Sequence, residues 1–102
     1  MENVDKAVLD CTAAIASLRQ ITYDAYIMGF LDNTRLEHVK KSMDSILRNS
    51  QDGLKSSFGD VSNEMAPIFE MIEKKNYHVA YEFSLRLSER DYFPNSRQQK
   101  VL

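Results

Sequence analysis

The sequence predicts an all-α fold, an antiparallel four-helix bundle, and three observations lead there. Three glycines and two prolines in 102 residues are too few turn formers for a sandwich or barrel of short strands. Apolar residues recur in steps of four and three over long stretches, which is the period of one helix face. Hydrophobic residues at 43% and charged residues at 27% match ordinary globular usage, with enough apolar mass for a single core.

The first helix is expected over about Val4 to Met28. Val4, Val8, Cys11, Ile15, Leu18 and Ala25 fall on one face, with Thr22 filling the gap in the pattern. Gly29 follows as a stop, because glycine takes the left-handed conformation that ends helices.

The second helix starts at a capping box. The Thr34 hydroxyl faces the amide of Glu37, whose carboxylate can return to the amide of Thr34. Leu36, Val39, Met43, Ile46 and Leu47 form its apolar stripe, and Leu54 and Phe58 keep the same register when the helix is wound on through Gly53. That register predicts one long helix ending near Gly59, against the poor helix propensity of the run Asn49 to Gly53.

Pro67 has no amide hydrogen and fits a first helical turn, so the third helix is expected to begin between Asn63 and Ala66. Met65, Ile68, Phe69 and Ile72 supply its buried face. A tight turn is expected around Glu73 to Tyr77, with Asn76 suited to a helix end or a new N-cap. The fourth helix, about Tyr77 to Arg90, ends ahead of Phe93-Pro94, since the residue before proline is pushed out of helical geometry. The resulting bundle is a long hairpin, residues 4–58, packed on a shorter one, residues 63–90. The single domain spans residues 1–93, and residues 94–102 are expected to form a flexible tail.

The fourth helix carries an uncommon pattern. His78, Glu82, Arg86 and Glu89 form a narrow polar strip between two apolar flanks, one of Val79, Ala80, Phe83 and Leu87, the other of Tyr77, Tyr81 and Leu85. Two flanks call for two partners. With the aromatic pair Tyr92-Phe93 just beyond the helix, this makes Tyr77, Tyr81, Leu85, Tyr92 and Phe93 the expected partner-binding residues.

Little in the chain points to catalysis. Cys11, His38 and His78 are the only cysteine and histidines, too few and too scattered for a zinc site, and neither histidine has a glutamate three residues before it, as di-iron bundles require. Cys11 sits on the predicted core face, where a thiol behaves as a small hydrophobe. Phosphate loops, nucleophile elbows and dinucleotide fingerprints are absent. The expectation is a protein that is not an enzyme, with no cofactor, no metal and no small-molecule substrate.

A net charge of −2 supplies no global field for a polyanion. The second helix is locally basic, with Arg35, His38, Lys40, Lys41, Arg48 and Lys55, and this is the one feature a nucleic acid could use; the interleaved Glu37, Asp44 and Asp52 make a solvated face the better account. The acidic start of the chain and a longest apolar run of five residues, Ile27-Met28-Gly29-Phe30-Leu31, give no export signal or membrane segment. A lone cysteine suits a reducing compartment, so a cytoplasmic location is expected.

Two stretches resemble known families. His38, Lys41 and Ser42 resemble the His-x-Leu-Lys-Gly core of histidine phosphotransfer domains, four-helix bundles of about this length. The resemblance implies His38 as phosphoryl acceptor and Lys41 as its charge partner, although Lys40 stands where that family has leucine. The stretch Lys74 to Ala80 is similar to the hinge of helical hairpins in tetratricopeptide-like modules and in helical domains of vesicle-coat subunits, and it implies a binding role. Together with the flanks of the fourth helix, these features predict a small adaptor or regulator that binds another protein or itself, with a homodimer as the simplest form.

Overall fold

A computed structural model describes the backbone of residues 3–50 and 52–93 and the side chains of residues 6–50 and 54–93. Four helices follow in order: α1 (Asn3–Tyr23), continued by a π-helical turn (Asp24–Met28), α2 (Asn33–Asn49), α3 (Asp52–Glu73) and α4 (Tyr77–Glu89). The helices pack in pairs, α1 against both α2 and α4, and α3 mainly against α4. No strand occurs among the described residues. The fold is thus the all-α bundle that the periodicity predicts; the tail from residue 94 lies outside the described residues.

One stripe from each helix builds the core. From α1 come Val8, Cys11, Ile15, Leu18 and Ile21; from α2 Leu36, Val39, Met43 and Ile46; from α3 Phe58, Val61, Met65, Ile68 and Ile72; and from α4 Ala80 and Leu87. Thr22 and Ser84 are the only polar side chains buried with them among the described residues. Their hydroxyls lie 2.8 Å apart, so each satisfies the other at the α1–α4 contact, where an unpaired hydroxyl would be costly.

Two expected boundaries move. The second helix does not continue through Gly53: it stops at Asn49, Ser50 is extended (φ −73°, ψ 147°), and a new helix begins at Asp52. Leu54, Lys55 and Phe58 therefore belong to α3, whose apolar stripe Leu54, Phe58, Val61, Met65, Ile68 and Ile72 steps 4-3-4-3-4 without interruption. Pro67 consequently lies deep inside α3 and not in a first turn. It is exposed, and, having no amide hydrogen, it removes one backbone bond from the helix interior. The hairpins run 3–49 and 52–89, in place of 4–58 and 63–90.

The start of α2 also differs. Asp32 is the N-cap, its Oδ1 accepting from the amide of Arg35 at 3.1 Å, and Thr34 already lies inside the first turn. A carboxylate at this position both accepts an orphan amide and carries the charge that the helix N-terminus favours, which displaces the Thr34–Glu37 box.

The segments that end α1 and α3 are closed by left-handed residues. Gly29 (φ 70°) donates its amide to the carbonyl of Asp24. Lys75 has φ 61°, and its amide and that of Asn76 bond the carbonyls of Ile72 and Met71 at 3.0 and 2.8 Å. This pair of bonds is the Schellman arrangement, and Asn76 then precedes α4 as its N-cap.

Candidate functional site

The most unusual surface of the molecule begins where α1 changes its winding. Through Asp24–Met28 the backbone takes the wider π-helical turn, which adds a residue to the turn. Ala25 stays buried at 3% exposure, while Tyr26, Ile27 and Met28 turn outward at 43, 52 and 71%. Phe30, just past the Gly29 cap, is 59% exposed, and Tyr23, one turn earlier, is 40%. Five of the six large apolar side chains exposed among the described residues thus fall between Tyr23 and Phe30; Leu9 is the sixth.

The N-terminal turn of α4 forms one edge of this surface. Tyr26 stacks on His78 with ring centroids 5.0 Å apart and on Tyr81 at 6.0 Å. Tyr23 meets Tyr81 edge-on at 5.5 Å and 63°. These separations lie in the range where aromatic pairs attract beyond simple burial. Nε2 of His78 is 2.7 Å from Oε1 of Glu82, which fixes the imidazole at the end of the row. The order His78–Tyr26–Tyr81–Tyr23 makes a short aromatic ladder between α1 and α4.

The expected partner-binding residues separate into three places. Tyr81 belongs to the ladder, and Tyr77, half-buried near it in sequence, packs against the core. Leu85 is half-buried further along α4. Tyr92 and Phe93 lie at the opposite end of the bundle. Phe93 rests on Phe58 with centroids 5.3 Å apart, and the Tyr92 hydroxyl donates to the carboxylate of Glu64. The same carboxylate pairs with Arg90 at 3.2 Å. Burial, and then the Glu64 carboxylate, push the Tyr92 phenol above its ordinary range. Tyr92 and Phe93 thereby fasten the end of α4 to α3, and with Val8, Leu9 and Ile15 they wall a cleft of about 230 Å³.

On α4 itself, Ala80 and Leu87 of the first flank are buried together with Ser84, while Val79, Phe83 and the flank of Tyr77, Tyr81 and Leu85 are half-buried. Each flank is met within the chain: Phe83 by the core and Tyr81 by Tyr23 and Tyr26. The polar strip His78, Glu82, Arg86 and Glu89 faces solvent.

Sequence reasoning missed the Tyr23–Phe30 surface. Its signal was present in the run Ile27 to Leu31, which a stop glycine interrupts. A run that neither spans a membrane nor continues the buried stripe leaves Ile27, Met28 and Phe30 facing outward, while Leu31 packs against the core.

The other sequence candidates lie apart from this surface. His38 and Lys41 are both exposed on α2 and line a shallow depression with Thr34 and Glu37. Lys40 is paired with Glu37 at 3.4 Å and also sits over the Phe69 ring at 5.3 Å. Arg48 is paired with Asp44 at 3.3 Å. With Lys55 on α3, the basic residues divide between two helices. Cys11 is fully buried, and burial pushes its thiol up to about 12, which keeps it protonated and unreactive at neutral pH. No group of three or more His, Cys, Asp or Glu side chains converges on a possible metal position among the described residues. No described helix is long and apolar enough to cross a membrane.

Comparison with protein-family models, with curated proteins and with solved structures returns no match for the chain.

Proposed function

We propose that this protein is a non-enzymatic helical interaction module, an adaptor or regulator, that binds another protein through the surface of Tyr23, Tyr26, Ile27, Met28 and Phe30. The observation that carries this reading is the concentration of exposed apolar bulk in one eight-residue segment. Scattered exposed hydrophobics need no explanation, whereas their concentration in one short segment supports a contact surface. Its composition agrees, since aromatic residues and methionine are the types enriched at interface centres. The ladder with His78 and Tyr81 holds Tyr23 and Tyr26 against α4, so the surface is ordered before binding and little side-chain freedom is lost on contact. A reducing, cytoplasmic setting fits the single buried thiol.

The test is capture from the native source with the wild-type chain and with the Ile27→Lys/Phe30→Lys variant as baits, both checked for equal thermal stability. A protein, or the chain itself, retained by the wild type and lost from the variant supports the reading. Equal retention by both baits, or none by either, overturns it.

A further inference from the structure

The chain leaves helical geometry at Arg90 (φ −79°, ψ 147°), whose amide still reaches the carbonyl of Leu87. Beyond it, Asp91, Tyr92 and Phe93 form no backbone–backbone hydrogen bond among the described residues, so side chains hold this segment to the bundle. Its polar contacts converge on one carboxylate of α3: Oε1 of Glu64 takes Nε of Arg90, and Oε2 accepts from the hydroxyl of Tyr92. Its apolar contact is the ring of Phe93 on that of Phe58, a side chain with no exposed surface. Thr12 and Ser88, the hydroxyls in the wall of the adjoining cleft, donate to the carbonyls of Val8 and Leu85 in their own helices and give no proton to the segment. Stretches with few backbone bonds and few buried contacts are the ones that open locally while the rest of a fold persists.

We propose that residues 90–93 are a strap that closes one side of the cleft between α1 and α4, with the Glu64 carboxylate as its single catch, and that it opens while the four helices stay folded. Two charge-assisted bonds share the one anchor, so loss of Glu64 frees Arg90 and Tyr92 together. Phe93 both walls the cleft and covers Phe58. Its departure therefore uncovers Phe58 and adds that ring to the apolar wall of Val8, Ile15 and Leu87. The cleft of about 230 Å³ is the closed form of a larger apolar groove. The strap lies at the end of the bundle away from the Tyr23–Phe30 surface and works independently of any partner bound there.

The experiment follows the full chain with rising temperature by two signals. The nuclear Overhauser contact between the Phe58 and Phe93 rings, with the averaged ring shifts of Phe93, reads the strap; far-ultraviolet circular dichroism reads the helices. In the wild type the ring contact should fade at a lower temperature than the helices melt. In Glu64→Ala, where alanine suits the interior of α3, the open fraction should rise roughly tenfold or more with the helices retained. Tyr92→Phe removes one of the two bonds and should fall between. A wild type in which both signals change in one coincident transition overturns the proposal, and so does a Glu64→Ala protein whose Phe93 ring behaves as in the wild type. Should Glu64→Ala lose helix content at low temperature, Tyr92→Phe decides by the same signals: release ahead of the helices supports the strap, and release only with them overturns it.

Discussion

The hydroxyls of Thr22 and Ser84 meet at 2.8 Å in the otherwise apolar contact between α1 and α4. Each also lies within reach of a carbonyl of its own helix, Thr22 at 2.9 Å from that of Arg19 and Ser84 at 2.7 Å from that of Tyr81. Two protons serve three contacts, so one hydroxyl donates to the other while the acceptor donates to its own helix. Neither residue is orphaned when its partner is removed. Thr22→Val and Ser84→Ala should therefore each cost only about 0.5–1.5 kcal/mol, and the double variant less than the sum of the two. Chemical denaturation of all four proteins checks this. Additive losses would mean that the pair is not coupled.

Pro67 and Gly59 are two residues that α3 tolerates against its own propensity. Pro67 is exposed in the helix interior and leaves a carbonyl without its amide. A Cβ built on Gly59 meets nothing within 4 Å. Pro67→Ala should stabilise by about 1–3 kcal/mol and Gly59→Ala by about 0.5–1 kcal/mol, the helix-interior penalties of these residues. The readout is the denaturation midpoint. A loss of stability from either change would show that α3 needs its present backbone there.

The same α3 shows what was legible in the sequence. Its stripe from Leu54 to Ile72 can be read through Val61 in unbroken 4-3-4-3-4 steps, yet Leu54 and Phe58 equally continue the stripe of α2, because Leu47 and Leu54 are seven residues, two turns, apart. Hydrophobic period alone does not say where a helix reverses. The poor helix formers from Asn49 to Gly53 carried that information, and local propensity outweighed register. Proline added a false start, since its first-turn preference yields when the packing on both sides is sufficient. At the start of α2 the expected Thr34 cap lies two residues past the observed Asp32 cap, and the backbone geometry makes that choice. The face of α4 was legible as an amphipathic pattern. What covers its Tyr81 flank was not, because the π-helical turn that carries Tyr26 against it, just past Tyr23, breaks the 3.6-residue period from which positions are projected.

The left-handed residues give opposite responses to substitution. Gly29 holds φ 70° with open space around its missing side chain, so Gly29→Ala should lose about 1–2 kcal/mol from backbone strain alone. Lys75 pays that strain already at φ 61°. Lys75→Gly should stabilise, by up to about 1 kcal/mol after the added freedom of the unfolded chain. Thermal melts of the two variants should move in opposite directions.

Cys11 makes the bundle sensitive to alkali. Below about pH 9 the thiol is protonated in both folded and unfolded chains, so the pair contributes no pH dependence. Above the ordinary value of 9.0 the unfolded thiol ionises, while the buried one keeps its proton to about 12. Stability should fall as pH rises through this window, at a limiting slope of about 1.4 kcal/mol per pH unit. Denaturation at pH 9 and pH 11 should show a larger loss for wild type than for Cys11→Ala, with the other titrating groups cancelling in the comparison. At pH 8 the folded thiol should resist an alkylating reagent that modifies the unfolded chain at once.

Tyr81→Lys distinguishes a flank used inside the chain from one held open for a partner. Were Tyr81 free on the surface, the change would cost under about 0.5 kcal/mol; in a sealed core it would bury an unpaired charge and unfold a domain of this size. The structure places it between these limits. It is half-buried, in contact with Tyr23 at 5.5 Å and Tyr26 at 6.0 Å, and each aromatic contact is worth about 0.5–1.5 kcal/mol beyond burial. A lysine at 81 can run its stem along α1 and carry its ammonium to solvent beside Glu82. The variant should stay folded, lose about 1–3 kcal/mol, and melt on the order of 10 °C lower. Tyr26, freed of one stacking partner, would then stand more loosely beside Ile27 and Met28, so association through this surface should weaken but persist. Thermal melting beside light scattering gives both readouts. An unchanged melting temperature with association abolished would instead assign Tyr81 wholly to the partner.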